Sequence, residues 1–501
     1  MDSYIPFDRA SGAPYYKQIY DGYRAAILGG LLRPGQRLPS TRALAAELQI
    51  SRLPVLNAFE QLLHEGYIEG RVGAGTYVRA SIPDDMTRPV VVRPPQPPNA
   101  GGRRETTHSR RLPPELGGRK PAISPGPSTT SRDDGLGAFR VSLPALGEFP
   151  RATWARLVSR HAKQLPIELM AYGDPAGFLP LREAIAEHLR TARAVRCEAD
   201  QVLIVAGSQM ALQICALALV NPGDAVGVEE PGYPGARDAL RVSGGRLTPI
   251  AVDAEGIDVA ALAAAGFRTR VVYVTPSHQY PLGVSVTAAR RLALIDWAEG
   301  TGAWILEDDY DSEYRYASRP LGALQGMDAA GRVIYIGTFS KVLFPALRVG
   351  YVVVPPELVE TFRRLREGLD IFSPTLYQLV LTDFLNDGHF ARHLRRMRAL
   401  YLGRRNALVE SLREHAGDLL GPYNTDAGLH LTALLPPGVE DREVVRRAGQ
   451  HGISATALST CYLGDASRSG LILGFGGVDE DEIRVSARTL GSVIRGMVAE
   501  S

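Results

Sequence analysis

The sequence predicts a multidomain chain. An N-terminal α+β winged helix-turn-helix comes first, then an α/β part with a mostly parallel sheet and a smaller C-terminal α/β lobe. Three observations predict this. Residues 37–79 read as short helices about a turn, followed by a Gly-rich hairpin. Residues 81–120 carry eight prolines and no period of 3.6 or 2. Beyond them, short apolar runs alternate with longer helical patterns, the signature of βαβ units.

At 501 residues the chain is long enough for two or more domains. An apolar fraction of 45% and a charged fraction of 22% are ordinary for globular protein. Charge is uneven: residues 1–80 are net +2, residues 81–120 net +4, and the remainder net −4. The positive part is where nucleic acid is expected. Three cysteines, Cys197, Cys215 and Cys461, lack metal-ligand spacing and are too few for a disulfide framework. That fits a cytoplasmic protein. The N-terminus MDSYIPFDRA has no apolar signal core, and no run reaches about 18 apolar residues, so no membrane partner is expected.

Within the head, Ile19, Tyr23, Ala26 and Ile27 give Tyr15–Leu28 a helical stripe. Pro34-Gly35 turns the chain, and Ser40 is placed to cap the next helix. After a turn at Ile50-Ser51, a second helix sets Val55, Leu56, Phe59, Leu62 and Leu63 inward and Arg52 and Asn57 outward. Tyr67–Glu69 and Thr76–Val78 are the wing strands. The first residues of the second helix reach base edges in such a fold. Arg52 stands there, and Arg can bridge guanine O6 and N7. Ser40, Thr41, Arg42, Ser51, Arg71 and Gly75 complete the expected contact set, with small residues admitting backbone N–H groups to phosphates. The expected domains are a head at 1–80, a flexible Pro/Arg-rich linker at 81–135 and an effector domain at 136–501.

In the effector part, the expected strands are Gln201–Val205, Ala225–Val228, Val271–Val274, Ala303–Leu306 and Val333–Ile336. Met210–Val220 and Thr287–Glu299 read as helices between them. A long basic helix around Phe390–Glu410 leads to short strands near Leu429–Leu434 and Leu471–Phe475. Lys341 lies just past a strand, at the edge where open α/β sheets bind ligands. Asp308 ends another strand, with Tyr310 beside it, and Arg348 offers a donor fork suited to phosphate. Gly207-Ser208-Gln209 opens a helix whose free N–H groups suit the same anion. Tyr233 can lie against a ring. A lysine for a Schiff base, an acid for a pyridine nitrogen and a phosphate cradle together point to pyridoxal 5′-phosphate (PLP). The EDDYD run has no histidine beside it in sequence, so no metal is expected.

Residues 27–78 resemble the GntR-type winged helix, through Ile27, Gly30, Leu32, Pro34-Gly35, Leu38-Pro39-Ser40, Arg42, Leu44-Ala45, Ser51-Arg52, Glu65-Gly66-Tyr67-Ile68 and Gly73/Gly75-Thr76/Val78. Pro54 replaces the threonine usual there, which the first helical turn tolerates. Residues of roughly 140–495 resemble fold-type I aminotransferases, through Tyr172-Gly173-Asp174-Pro175, Gly207-Ser208-Gln209, Pro231-x-Tyr233, SHQYPLG, Asp308 with Tyr310, and Ser340-Lys341 with Arg348. That resemblance implies Lys341 as the Schiff-base lysine, Asp308 on the pyridine nitrogen and Tyr310 on the ring oxygen. It also implies Ser208, Gln209, Thr338 and Arg348 on the phosphate, Tyr233 stacked, and Tyr172 reaching in from a second subunit. The combination resembles the MocR/GabR subfamily of bacterial regulators.

The resemblance implies a homodimeric, PLP-dependent transcription regulator bound to a double-stranded DNA operator. Its effector is an amine or amino acid, or PLP itself, and it is not an enzyme, with a residual half-transamination left open. A working aminotransferase with an appended head is the alternative. Two departures bear on this. Tyr280 stands where aminotransferases have Asn, and Ile472 where they have the carboxylate-gripping Arg. Arg237, Arg468 and Tyr280 are the residues left to meet an effector.

Overall fold

The computed structural model describes residues 7–8, 15–64, 67–71, 75–79, 137–264, 269–316, 322–417 and 419–500, with the side chains of His64 and Arg71 excepted. The linker expected at 81–135 lies outside the described residues.

The head is three helices and a two-stranded wing. They are α1 (Tyr15–Leu28), α2 (Thr41–Glu47), α3 (Arg52–His64), β1 (Ile68–Arg71) and β2 (Gly75–Val78). Ile19, Tyr23, Leu44, Val55, Ala58, Phe59, Leu62 and Val78 form its core. The expected inner face of α3 needs one correction: Leu56 is only half-buried and Leu63 is exposed, while Ala58 is buried. Helical geometry explains it. Positions 55, 58, 59 and 62 share one stripe, and 56 and 63 fall about 100° off it. Ser40 caps α2, its Oγ accepting from the Ala43 N–H at 3.1 Å. Ser40→Ala is expected to cost the head about 1 kcal/mol, read as a lower denaturation midpoint.

The effector part holds an eight-stranded sheet among the described residues, in the order β3-β10-β9-β8-β7-β4-β5-β6. These strands are β3 (Val202–Val205), β4 (Ala225–Glu230), β5 (Arg246–Asp253), β6 (Gly256–Ile257), β7 (Thr269–Val274), β8 (Trp304–Asp309), β9 (Val333–Thr338) and β10 (Gly350–Val353). The pairs β4/β5, β4/β7, β7/β8 and β8/β9 are parallel. β10 runs against both β9 and β3. The central strands are buried along their whole length because helices cover both faces.

A second, antiparallel sheet follows: β11 (Gly421–Tyr423), β12 (His430–Leu434), β13 (Thr456–Ala457) and β14 (Gly470–Gly474), in the order β11-β12-β14-β13. The long basic helix runs His389–Ala416 and packs on the C-terminal helix Glu480–Glu500. Residues 138–140 join this lobe although they come 300 residues earlier: Ala138 bridges Ile453, and the Phe139 carbonyl accepts from the Gly474 N–H. Among the described residues, no helix is long and apolar enough to cross a membrane.

Candidate cofactor and DNA sites

Parallel strands deliver their C-terminal ends to one edge of the sheet. Tyr233 follows β4, the Thr275–Tyr280 loop follows β7, Asp308 and Tyr310 end or follow β8, and Lys341 follows β9. β10 runs the other way, so its beginning lies at that edge, with Arg348 two residues before it. Five segments thus converge at one edge through the topology.

Asp308 is buried, and its Oδ2 accepts from the Tyr273 hydroxyl at 2.8 Å. Its Oδ1 has no partner. Burial, chiefly, pushes its carboxyl up to about 7, with Tyr273 and Lys341 pulling the other way. The neighbouring acid differs. Asp309 is also buried, but it is gripped by Arg193 at 2.7 Å and by the Tyr335 hydroxyl at 2.7 Å, so its carboxyl lies below the usual range despite burial. Lys341 Nζ donates to the Ser142 carbonyl at 3.1 Å. Burial lowers its amine to about 8, opposed by Asp311 and Asp308.

Gly207 sits at φ +89° before the helix Ser208–Leu219, which has no side-chain cap to occupy its first N–H groups. A Cβ at Gly207 would meet the Arg348 guanidinium at 3.0 Å. Arg348 itself is left-handed at φ +52°, an unusual conformation for a branched-free cation that aims it at the Ala206 carbonyl. Gln209 Nε2 donates to the Gly235 carbonyl at 3.0 Å, and Thr338 Oγ1 lies 3.1 Å from Ser340 Oγ. Tyr233 packs edge-on against Tyr280, with centroids 5.6 Å apart. Tyr310 donates to the His278 carbonyl at 2.9 Å. Tyr172 is 83% exposed and touches Phe372.

Of the three residues left for an effector, Tyr280 belongs to this group. Arg237 is buried and already held by Glu230 at 2.7 Å and by the Cys461 carbonyl. Arg468 lies 5.9 Å from the centre of the Tyr423 ring. Ile472 is fully buried on β14, opposite Thr432.

Sequence reasoning missed four residues here. Tyr273 and Glu229 hide inside apolar strands. His278 and His430 were missed because 152 positions separate them. The structure packs both histidines around Asp311 of the EDDYD run, with ligand atoms within 4.8 Å of one another. The premise that no histidine joins that run is therefore corrected: a β12 residue returns to it through the fold.

In the head, Arg52 is exposed at the start of α3, and its Nε donates to Thr41 Oγ1 at 3.1 Å. Arg42 and Ser51 are exposed beside it. Gly75 sits at φ +110°, where a Cβ would press on the Arg37 guanidinium at 3.1 Å. Arg37 is a further wing cation that the sequence reading did not single out. Arg71 ends β1, but its side chain lies outside the described residues.

A three-helix head with a wing, followed by a fold-type I aminotransferase domain, defines a DNA-binding regulator with an aminotransferase-like domain. Residues 15–78 match the bacterial regulatory proteins of the gntR family, and residues 148–485 match aminotransferase class I and II. The probable rhizopine catabolism regulatory protein MocR of Rhizobium meliloti is 39% identical over 97% of this chain and 95% of its own. The pyridoxine biosynthesis transcriptional regulator PdxR of Corynebacterium glutamicum is 33% identical over 93% of each chain. The solved α-aminoadipate aminotransferase LysN of Thermus thermophilus superposes with a TM-score of 0.68 at 28% identity, over 73% of this chain and 93% of that one. The chain belongs to the MocR subfamily of GntR-type transcription regulators.

Proposed function

We propose that this regulator senses a small molecule through PLP held at Lys341, and that its aminotransferase-like domain serves as a sensor rather than an enzyme. The observation that carries the reading is the unpartnered Oδ1 of Asp308, buried on the same sheet edge as Lys341. A buried, unpaired carboxylate oxygen is costly unless a donor meets it, and a protonated pyridine nitrogen is such a donor. The Gly207 and Arg348 cradle fits a phosphate, and LysN, of the same fold, is solved with a phosphopyridoxyl-leucine.

Bound there, PLP supplies an aldehyde that a primary amine can engage covalently. Lys341 would hold it, Asp308 would keep its ring nitrogen protonated, and Tyr310 would bond its ring oxygen. Ser208, Gln209, Thr338 and Arg348 would take the phosphate and Tyr233 the ring face. Near neutral pH a larger share of Lys341 amines therefore carries a free lone pair than an ordinary lysine offers. Coenzyme uptake by stripped protein is therefore expected to accelerate as pH rises towards about 8 and to level off above it. Stopped-flow absorbance across pH 6–9 checks this. Asp308→Ala is expected to weaken retention by about ten- to a hundredfold, the loss of a charged hydrogen bond. Equilibrium dialysis reads it, and an unchanged affinity would move the role to Asp309.

A small amine that takes the place of Lys341 would be the effector, and it acts only if it binds one conformation better than another. Tyr172 is read as the residue lent to a second subunit. Ile167, Met170, Ile371 and Tyr377 are exposed as well, apolar surface of the kind a homodimer would cover. The head at 1–80 would bind a double-stranded operator through Ser40, Thr41, Arg42, Ser51, Arg52, Arg71 and Gly75, tethered by 81–135 to the effector domain at 136–501. Three free, buried thiols suit the cytoplasm. The test is borohydride reduction of purified protein, then peptide mapping. Label on Lys341 is expected; label elsewhere, or none, contradicts the assignment.

A further inference from the structure

The polar atoms left unpartnered around Lys341 are nearly all of one kind. Glu229 Oε1, His278 Nε2 and His430 Nε2 are buried and lack a hydrogen-bond partner. His278 Nδ1 lies 3.0 Å from Asp311 Oδ1. That contact engages Nδ1 and leaves Nε2 as the ring nitrogen open to a ligand. His430 bonds the Pro281 carbonyl, and burial holds its ring well below its ordinary protonation range, so its Nε2 is an acceptor too. Burial lifts the Glu229 carboxyl to about 7, with Thr275 and Gln279 working to lower it.

The walls agree. Tyr233 and Tyr280, Tyr280 and His430, and Tyr310 and His430 have centroids 5.6, 5.4 and 6.5 Å apart, and His278 lies 5.0 Å from His430. Aromatic faces attract cations and repel carboxylates. Behind them stand three buried acids, Glu229, Asp308 and Asp311. The strand face of β12 that carries His430 and Thr432 continues through their β14 partners Gly474 and Ile472, which bring no charge. Arg237 pairs with Glu230 through a terminal nitrogen, its buried Nε being the one unpartnered guanidinium nitrogen nearby, and Arg348 lies at the phosphate cradle.

Resting on the PLP-sensing reading above, we infer that the effector is a primary amine that lacks a carboxylate and carries a second donor, a hydroxyl or a further amine, received by His278, His430 and Glu229. One amine would meet the coenzyme in place of Lys341. The second group would enter a box whose free valences accept and whose field favours positive charge. A carboxylate in that box would face Glu229, Asp308 and Asp311 and an aromatic lining of five rings.

Matched pairs test it: 2-aminoethanol against L-serine, and 1,4-diaminobutane against 4-aminobutyrate. Each is titrated into coenzyme-loaded protein, with visible absorbance and DNA affinity as readouts. The carboxylate-free member of each pair is expected to half-saturate at a concentration at least tenfold lower. His430→Phe, which keeps a ring and loses the acceptor, should bring the pair within threefold; His430→Gln, which keeps an acceptor, should retain the preference. Coloured protein that answers equally well or better to the carboxylate-bearing members overturns this inference alone. So does stoichiometric Zn²⁺ that is retained by the protein and lost in His430→Phe, because a metal would then hold those acceptors. Protein that never takes up the coenzyme overturns the earlier reading and this one together.

Discussion

Lys341→Ala is expected to yield a folded protein that holds no borohydride-fixable coenzyme and whose DNA affinity no longer answers to amines. The size of the effect follows from the site's chemistry. In the wild type Lys341 is half-buried, its amine lowered to about 8 and so partly deprotonated at neutral pH. Among the described residues no other lysine stands at this sheet edge. Truncation removes the covalent anchor and leaves Asp308, Arg348 and the Gly207 turn intact, so reversible coenzyme binding through the phosphate and ring nitrogen should survive at reduced affinity. Absorbance before and after reduction, with dialysis, separates the two. The structure should tolerate the change. The one hydrogen bond lost is that from Nζ to the Ser142 carbonyl, worth on the order of 1 kcal/mol. A variant that keeps a reducible adduct would move the anchor to another amine.

Arg52→Ala is expected to weaken operator binding by about 1–3 kcal/mol, a five- to hundredfold-scale loss, with the greatest loss at one base position. The side chain is exposed at the first residue of α3 and tied to Thr41 Oγ1 across the turn. It supports no part of the head core, so the unfolding free energy should stay within about half a kcal/mol of the wild type. Arg42→Ala is a useful contrast, since a phosphate contact loses affinity uniformly across sequences and lowers the salt slope by about one. Titrations at fixed salt with operators selected from random duplex distinguish the two. An unchanged footprint for Arg52→Ala would place base reading elsewhere, with Arg37 beside the wing glycine the next residue to change.

Much of this was legible in the sequence for a plain reason. Buried parallel strands read as unbroken apolar runs, and helices as 3.6-residue stripes. The five effector strands expected from sequence match β3, β4, β7, β8 and β9, with every end within three residues of the expectation. The direction of β10 was not legible. Gly350–Val353 is as apolar as its parallel neighbours, and only the short 339–349 reversal makes it antiparallel. Asp308 and Asp309 show another limit. Both are acids at a strand end, and alternation sends them to opposite faces, but only the fold brings Arg193 from 116 positions away to pair with Asp309 Oδ2, a cation that Asp308 does not share. The same holds for His278, Asp311 and His430. Their meeting depends on the small lobe folding back over the sheet edge, which no local pattern encodes.

The account rests on the state of the Lys341 site setting the grip on DNA. The most direct measurement is one operator titrated with three preparations: coenzyme-free, coenzyme-loaded, and loaded with saturating 2-aminoethanol or 1,4-diaminobutane. A coupling free energy of 1–3 kcal/mol predicts affinities that differ by about five- to 150-fold between at least two of them. Three superimposable isotherms, from protein whose coenzyme content has been verified, would contradict it.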